Sequence, residues 1–166
     1  MDYLYRKANK EDFSEVTALF KEAVQNMIDH KIYQWDEIYP DEAILSEDVD
    51  KGEMYLLFQE KQLISCVVVN EEQDELYQSG SWKYTDKNIA VIHRLCVYPR
   101  AQGNGNGKRT LQYTEKLIKD IGYAGIRLDA FTQNKAAIHM YESMGYSYAG
   151  EITLRKGQFY LFEKAI

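Results

Sequence analysis

Apolar positions along this chain alternate between two rhythms. From Asn9 onward Phe13, Val16, Phe20, Ala23, Met27 and Ile28 recur every three or four residues, the spacing of one helix face. Asn9 followed by Asp12 supplies the groups of a reciprocal helix cap. The rhythm dissolves over residues 31–40, and a short second helix is expected from Asp41 to Gly52, glycine being the usual left-handed end. Residues 54–58 and 63–69 flank a polar Gln-Glu-Lys-Gln turn and read as a hairpin. Residues 70–88 are polar with aromatic interruptions, a long connection whose shape the pattern leaves open.

Residues 89–97 are nearly all apolar and β-branched, as a central strand covered on both faces would be, and Pro99 ends its ladder for want of an N–H. Leu111, Thr114, Ile118 and Ile121 then mark a helix face that Gly122 closes. Residues 126–131 read as a further strand, Asn134 opens a helix that Gly145 closes, and residues 146–154 and 158–162 form a last hairpin around Lys156-Gly157. The expected order is two helices and two strands, then strand, helix, strand, helix, then two strands. A single domain over residues 1–166 follows, of mixed α/β class: one mixed sheet with helices on both faces.

Composition narrows the class. With 166 residues, 45% of them hydrophobic, the chain can bury a core without disulfides or metals. Lys and Arg number 20 against 26 Asp and Glu, so the net charge of −6 has the wrong sign for a broad grip on nucleic acid. No apolar run approaches the roughly 20 residues of a membrane span. The start lacks an export signal, and Cys66 and Cys96 match neither a metal-ligand pair nor a disulfide framework; a reducing cytoplasm is the expected location.

The chemistry concentrates between the strand ending at Val97 and the following helix. Gly103, Gly105 and Gly107 stand where N–H groups at a helix start lack internal partners, and small residues let an anion approach the backbone. A flexible surface turn would carry the same glycines. A nucleotide-triphosphate loop would need Gly at Gln102 and Ser or Thr at Arg109, and a dinucleotide fingerprint would need Gly at Lys108; neither fits.

Gln102-x-x-Gly105-x-Gly107, directly after Leu95-Cys96-Val97-Tyr98-Pro99, resembles the coenzyme A signature of the GNAT N-acetyltransferase superfamily. Asn134-x-x-Ala137-x-x-x-Tyr141-x-x-x-Gly145-Tyr146 strengthens the resemblance, which covers roughly residues 89–150. It implies a GNAT-like, mostly antiparallel sheet with splayed strands, and acetyl-CoA as co-substrate with no metal. It also implies that Leu95, Cys96 and Val97 offer ladder groups to the pantetheine arm, as a peptide adds to a sheet edge. The amides of Gly103, Asn104, Gly105, Asn106, Gly107 and Lys108 would hold the pyrophosphate, Gln102 belongs to the signature, Lys108 and Arg109 would contribute charge, and Asn134 would touch the cofactor besides capping its helix. Direct transfer is the family norm, which leaves Cys96 a packed small residue rather than a nucleophile.

Transfer from a thioester to an amine needs a neutral nucleophile, a stabilised oxyanion and a proton for the thiolate. Tyr141, whose hydroxyl titrates at roughly 10 in isolation against roughly 8.5 for a thiol, is expected to supply that proton; packing in a helix is its other reading. Strict alternation puts His93 on one face with Leu95 and Val97, near the thioester, where it is either the base or a core histidine. Tyr33, Trp35, Asp36, Glu37 and Tyr39 suit a cationic amine, a lid or a homodimer contact equally. The implied acceptor is a primary amine of a small molecule or peptide, with nucleic acid and membrane excluded. An acyl-CoA sensor without activity, or an interaction module, remains the rival.

Overall fold

A computed structural model describes residues 1–85 and 88–166. The chain divides into two compact units, Met1–Val69 with Arg94–Tyr113, and Asn70–His93 with Thr114–Ile166. The strands are β1 (Tyr3–Lys7), β2 (Met54–Gln59), β3 (Gln62–Asn70), β4 (Ile89–Val97), β5 (Gly125–Phe131), β6 (Ser147–Leu154) and β7 (Gly157–Ala165). They form a sheet in the order β1-β2-β3-β4-β5-β7-β6. The helices are α1 (Phe13–Asp29), α2 (Glu42–Asp50), α3 (Asn106–Ile121) and α4 (Lys135–Ser143). The mixed fold is therefore the expected one. Among the described residues no helix is long and apolar enough to cross a membrane.

In the first unit β1 is an addition to the expected order. It pairs antiparallel with β2, Tyr3 opposite Gln59 and Lys7 opposite Tyr55. Its one aliphatic residue, Leu4, is 54% exposed, while Tyr3 and Tyr5 pack against the core. A strand whose inner side is tyrosine carries no aliphatic alternation to reveal it.

The cap before α1 forms around a short 3-10 turn, Lys10–Asp12: the Asn9 side chain accepts from the Glu11 amide at 2.9 Å and Asp12 accepts from the Asn9 amide at 2.9 Å. Val16, Leu19, Phe20 and Ala23 of α1 are buried, whereas Ile28 is exposed. Asp41 caps α2 through the Ile44 amide. The β2–β3 hairpin turns on Glu60 and Lys61, at φ +48° and +66°, the consecutive left-handed pair that matches strand twist. Met54, Leu56, Leu57 and Leu63 are fully buried in this unit's core, which Cys96 of β4 joins.

In the second unit β4 begins parallel to β5, with Ile89 opposite Gly125 and Val91 opposite Arg127. β5 pairs antiparallel with β7 along its whole length, and β6 with β7. Val91, Phe131, Ile152, Phe159 and Leu161 form the core with Tyr77. The connection of residues 70–88 contains a 3-10 turn, Glu75–Ser79; residues 86 and 87 lie outside the described part. It is anchored by Glu163, a buried carboxylate that accepts the amides of Lys83 and Tyr84. Leu111, Thr114 and Ile118 of α3 are buried as their spacing predicts, but Ile121, expected on that face, is 56% exposed in the last turn.

Candidate active site

β4 does not alternate strictly. Arg94 lies at φ +51°, a left-handed conformation rare in a strand for any residue but glycine. The left-handed residue interrupts the strict alternation that would set His93, Leu95 and Val97 on one face. Arg94 is held by what its side chain reaches: Nε and Nη2 donate to the two oxygens of Asp48 at 2.8 and 2.7 Å, and Nη1 donates to the Tyr39 hydroxyl at 2.8 Å. Burial outweighs the arginine at Asp48 and raises its carboxyl pKa. Beyond Arg94, Leu95 and Val97 are half-buried, and Cys96 is buried with its thiol pushed well up by burial, which keeps it protonated.

Beyond β4, Gln102 reaches back and donates to the Val97 carbonyl at 3.1 Å. Gly103 and Gly105 take φ +80° and +76°, and a Cβ on either would meet nothing within 4 Å. These glycines serve backbone conformation and an open approach, not packing. The turn then enters α3. The Arg109 amide bonds the Gly105 carbonyl, but among the described residues no acceptor meets the amides from Gly103 to Lys108. Asn106 is different in its side chain, which is buried, donates to the Ala101 carbonyl at 2.9 Å and accepts from Arg109 at 2.7 Å. Arg109 also lies over the Tyr3 ring at 4.4 Å, while Lys108 is exposed.

In the second unit, His93 Nε2 is 2.7 Å from Asn70 Oδ1, and with the amide oxygen accepting, Nε2 carries the proton of that bond. Asn134 caps α4 by accepting the Ala137 amide at 3.2 Å. Tyr141 is buried on α4 against Tyr146 and Phe162, and its hydroxyl bonds no described residue. Burial, with a contribution from the Asp129 charge, pushes its pKa well above 10. The proton therefore stays on Tyr141, and the gap to a thiol is wider than for free tyrosine. On β5, Asp129 Oδ2 accepts the Tyr77 hydroxyl at 2.6 Å. Burial raises the Asp129 carboxyl pKa, and the Tyr77 bond opposes that rise.

The model of the acetyltransferase (GNAT) family matches residues 10–146. The chain belongs to the GNAT acetyltransferase family. The uncharacterized N-acetyltransferase YesJ of Bacillus subtilis (strain 168) is 26% identical over 158 residues, 94% of this chain and 86% of that protein. Among solved structures, a GNAT-family acetyltransferase from Streptococcus agalactiae 2603 superposes with a TM-score of 0.87 at 21% identity, covering 99% of this chain and 95% of that one. The PaiA N-acetyltransferase of Thermoplasma acidophilum, solved with coenzyme A, gives 0.76 at 19% identity over all of both chains. This GNAT chain is thus an acyltransferase.

The family's cofactor has a fitting cradle in the unpartnered amides and open glycines of residues 103–108. Of the aromatic-acidic segment, Trp35 is buried against Phe20 and Tyr39 is engaged by Arg94, while Tyr33 and Glu37 are exposed. Sequence reading passed over Tyr77 and Asp129. Asp129 interrupts an apolar strand at a position that pattern reading assigns to solvent.

Proposed function

We propose that this GNAT protein is an N-acetyltransferase that moves acetyl directly from acetyl-CoA to a primary amine of a small molecule or peptide. The observation that carries it is the run of amides from Gly103 to Lys108 with no acceptor, at the start of a helix whose dipole favours an anion. These amides would hold the pyrophosphate, and the exposed Lys108 ammonium would add charge. Leu95, Cys96 and Val97 would present backbone groups to the pantetheine amides; Gln102, by holding the Val97 carbonyl, fixes the end of that strand. Bound acetyl-CoA supplies the carbonyl to be attacked and the thiolate that leaves.

Tyr141 would give its proton to that thiolate. Its hydroxyl, with no bond to any described residue, is not committed to the fold, which favours a transferase over a catalytically silent acyl-CoA sensor. A base must take the proton of the acceptor ammonium, and His93 on β4 is the candidate. Calorimetry with acetyl-CoA, followed by CoA release across a panel of small primary amines and peptides with free amino termini, tests the reading. Tight binding with turnover of at least one amine is expected. Binding without turnover of any amine would leave the sensor, and absence of binding would remove both.

A further inference from the structure

We infer that Asp48 and Tyr39 are positioning residues for acetyl-CoA: through the Arg94 side chain they hold the left-handed residue of β4 and so fix how the stretch Leu95 to Val97 presents its backbone groups. The inference rests on the N-acetyltransferase reading, and every residue in it belongs to the first unit.

A left-handed residue inside a strand persists only where its surroundings over-determine it, and such residues gather at functional sites. Glycine would take this conformation freely, yet β4 carries an arginine at φ +51°. Its support comes from outside the strand. Asp48 of α2 accepts from Nε and Nη2 at 2.8 and 2.7 Å, and the Tyr39 hydroxyl, from the segment between α1 and α2, accepts from Nη1 at 2.8 Å. The Arg94 carbonyl faces a thiol, accepting from Cys66 of β3 at 3.9 Å. An ion pair kept for stability alone has no need of such a backbone. Arg6, which meets Asp12 at 2.8 Å in the same unit, makes its pair from ordinary strand conformation.

The clamp matters for the residues that follow it. Leu95 to Val97 is a short stretch pinned at both ends. At its far end the Tyr98 amide donates to the Ile64 carbonyl at 2.8 Å, and Gln102 donates to the Val97 carbonyl at 3.1 Å. At its near end Arg94 is tied to α2 and to Tyr39. Relaxing Arg94 to an ordinary strand conformation would rotate the peptide groups that come next. A ligand that adds to a strand by its amides gains affinity when those groups are already held in register, because less ordering remains to be done on binding. The pantetheine arm is such a ligand, whereas the nucleotide end of the cofactor, held by the loop of residues 103–108, is indifferent to the direction of β4.

That difference supplies the test. Acetyl-CoA and adenosine 3′,5′-bisphosphate, which lacks the amide arm, are titrated by calorimetry into wild type and variants, with melting temperatures and steady-state rates alongside. Asp48→Asn combined with Arg94→Ala removes the clamp without stranding a charge. It should weaken acetyl-CoA by about 30-fold or more and raise its KM, with bisphosphate binding unchanged and kcat at saturating cofactor within about threefold of wild type. Asp48→Asn combined with Arg94→Gly should bind acetyl-CoA about tenfold more tightly than the alanine pair, because glycine reaches φ +51° unaided. A merely structural role predicts the reverse order, since glycine weakens a strand more than alanine does. Tyr39→Phe deletes one bond and no charge; it should weaken acetyl-CoA by about three- to tenfold and carries the test where the alanine pair fails to fold. Arg6→Gln, at the other ion pair, should lower the melting temperature and leave both ligands bound as in wild type.

Equal losses for the two ligands, glycine no better than alanine, Tyr39→Phe indistinguishable from wild type, or the same acetyl-CoA loss in Arg6→Gln would each overturn the inference. If the variants rank as expected in acetyl-CoA binding but wild type acetylates no amine, the positioning role stands and the transferase reading falls. If wild type binds no acetyl-CoA, both fall.

Discussion

Tyr141 is the side chain for which burial and chemistry pull hardest against each other. A phenol in a helix core normally finds an acceptor, because an unpaired buried hydroxyl costs about 1–3 kcal/mol. This one has none among the described residues, yet it is not among the fully buried polar atoms left without a partner, and burial of the ring holds its proton in place. With no bond to a described residue to lose, Tyr141→Phe should leave the fold about as stable as wild type while kcat falls by about 100-fold, with acetyl-CoA affinity unchanged. Melting curves, calorimetry and steady-state rates together check this. A drop in stability with kcat preserved would make Tyr141 an ordinary core residue. The two-part spacing around Asn134 and Tyr141 was readable because it repeats a family pattern. Asp129 was not, since a carboxylate inside a strand is indistinguishable by pattern from a solvent-facing residue, and only the Tyr77 bond across 52 positions shows otherwise.

At the scale of elements, the left-handed turn of β4 at Arg94 is held by an ion pair from α2. The Arg94 and Asp48 side chains are 11% and 6% exposed, so removing one leaves the other charged and buried. Arg94→Met should cost about 3–5 kcal/mol at neutral pH, and adding Asp48→Leu should recover most of it. The sign of the pH dependence follows from Asp48, whose folded pKa already lies above its unfolded value and would rise further without Arg94. A carboxyl raised by folding stabilises below its unfolded pKa and loses that contribution as pH climbs through the folded one. The deficit of Arg94→Met should accordingly shrink as pH falls toward about 4, which denaturant titrations across pH will read. A deficit that grows on acidification would mean that Asp48 is not the group left stranded. Most elements of this chain were legible, because aliphatic periodicity marks them. β1 and the break at Arg94 were not: tyrosines form the inner side of the one, and in the other an arginine adopts a conformation usually signalled by glycine.

For the whole molecule, the sign of its charge and the manner of cofactor binding make a joint prediction. A chain of net charge −6 repels a polyphosphate at long range, yet the cradle proposed for it is neutral backbone, with Arg109 tied to Asn106 and Tyr3 and Lys108 exposed. Binding by amides at a helix start releases few counter-ions, whereas binding by a cluster of basic side chains weakens steeply with salt. Acetyl-CoA at about 100 times its dissociation constant should stabilise the fold by about 2.7 kcal/mol, a rise of roughly 5–10 °C in melting temperature for a chain of this length. That rise should survive an increase from about 50 to about 500 mM salt, because screening weakens the overall repulsion as much as it weakens the single lysine. Gly105→Ala should abolish most of it: no side chain crowds the position, but φ +76° strains an alanine and its methyl group stands in the open approach to the amides. Thermal melts of the two proteins with and without acetyl-CoA at both salt concentrations decide the matter. A cofactor shift that vanishes at high salt yet persists in Gly105→Ala would mean that side-chain charge, and not the amides of this loop, holds the phosphates.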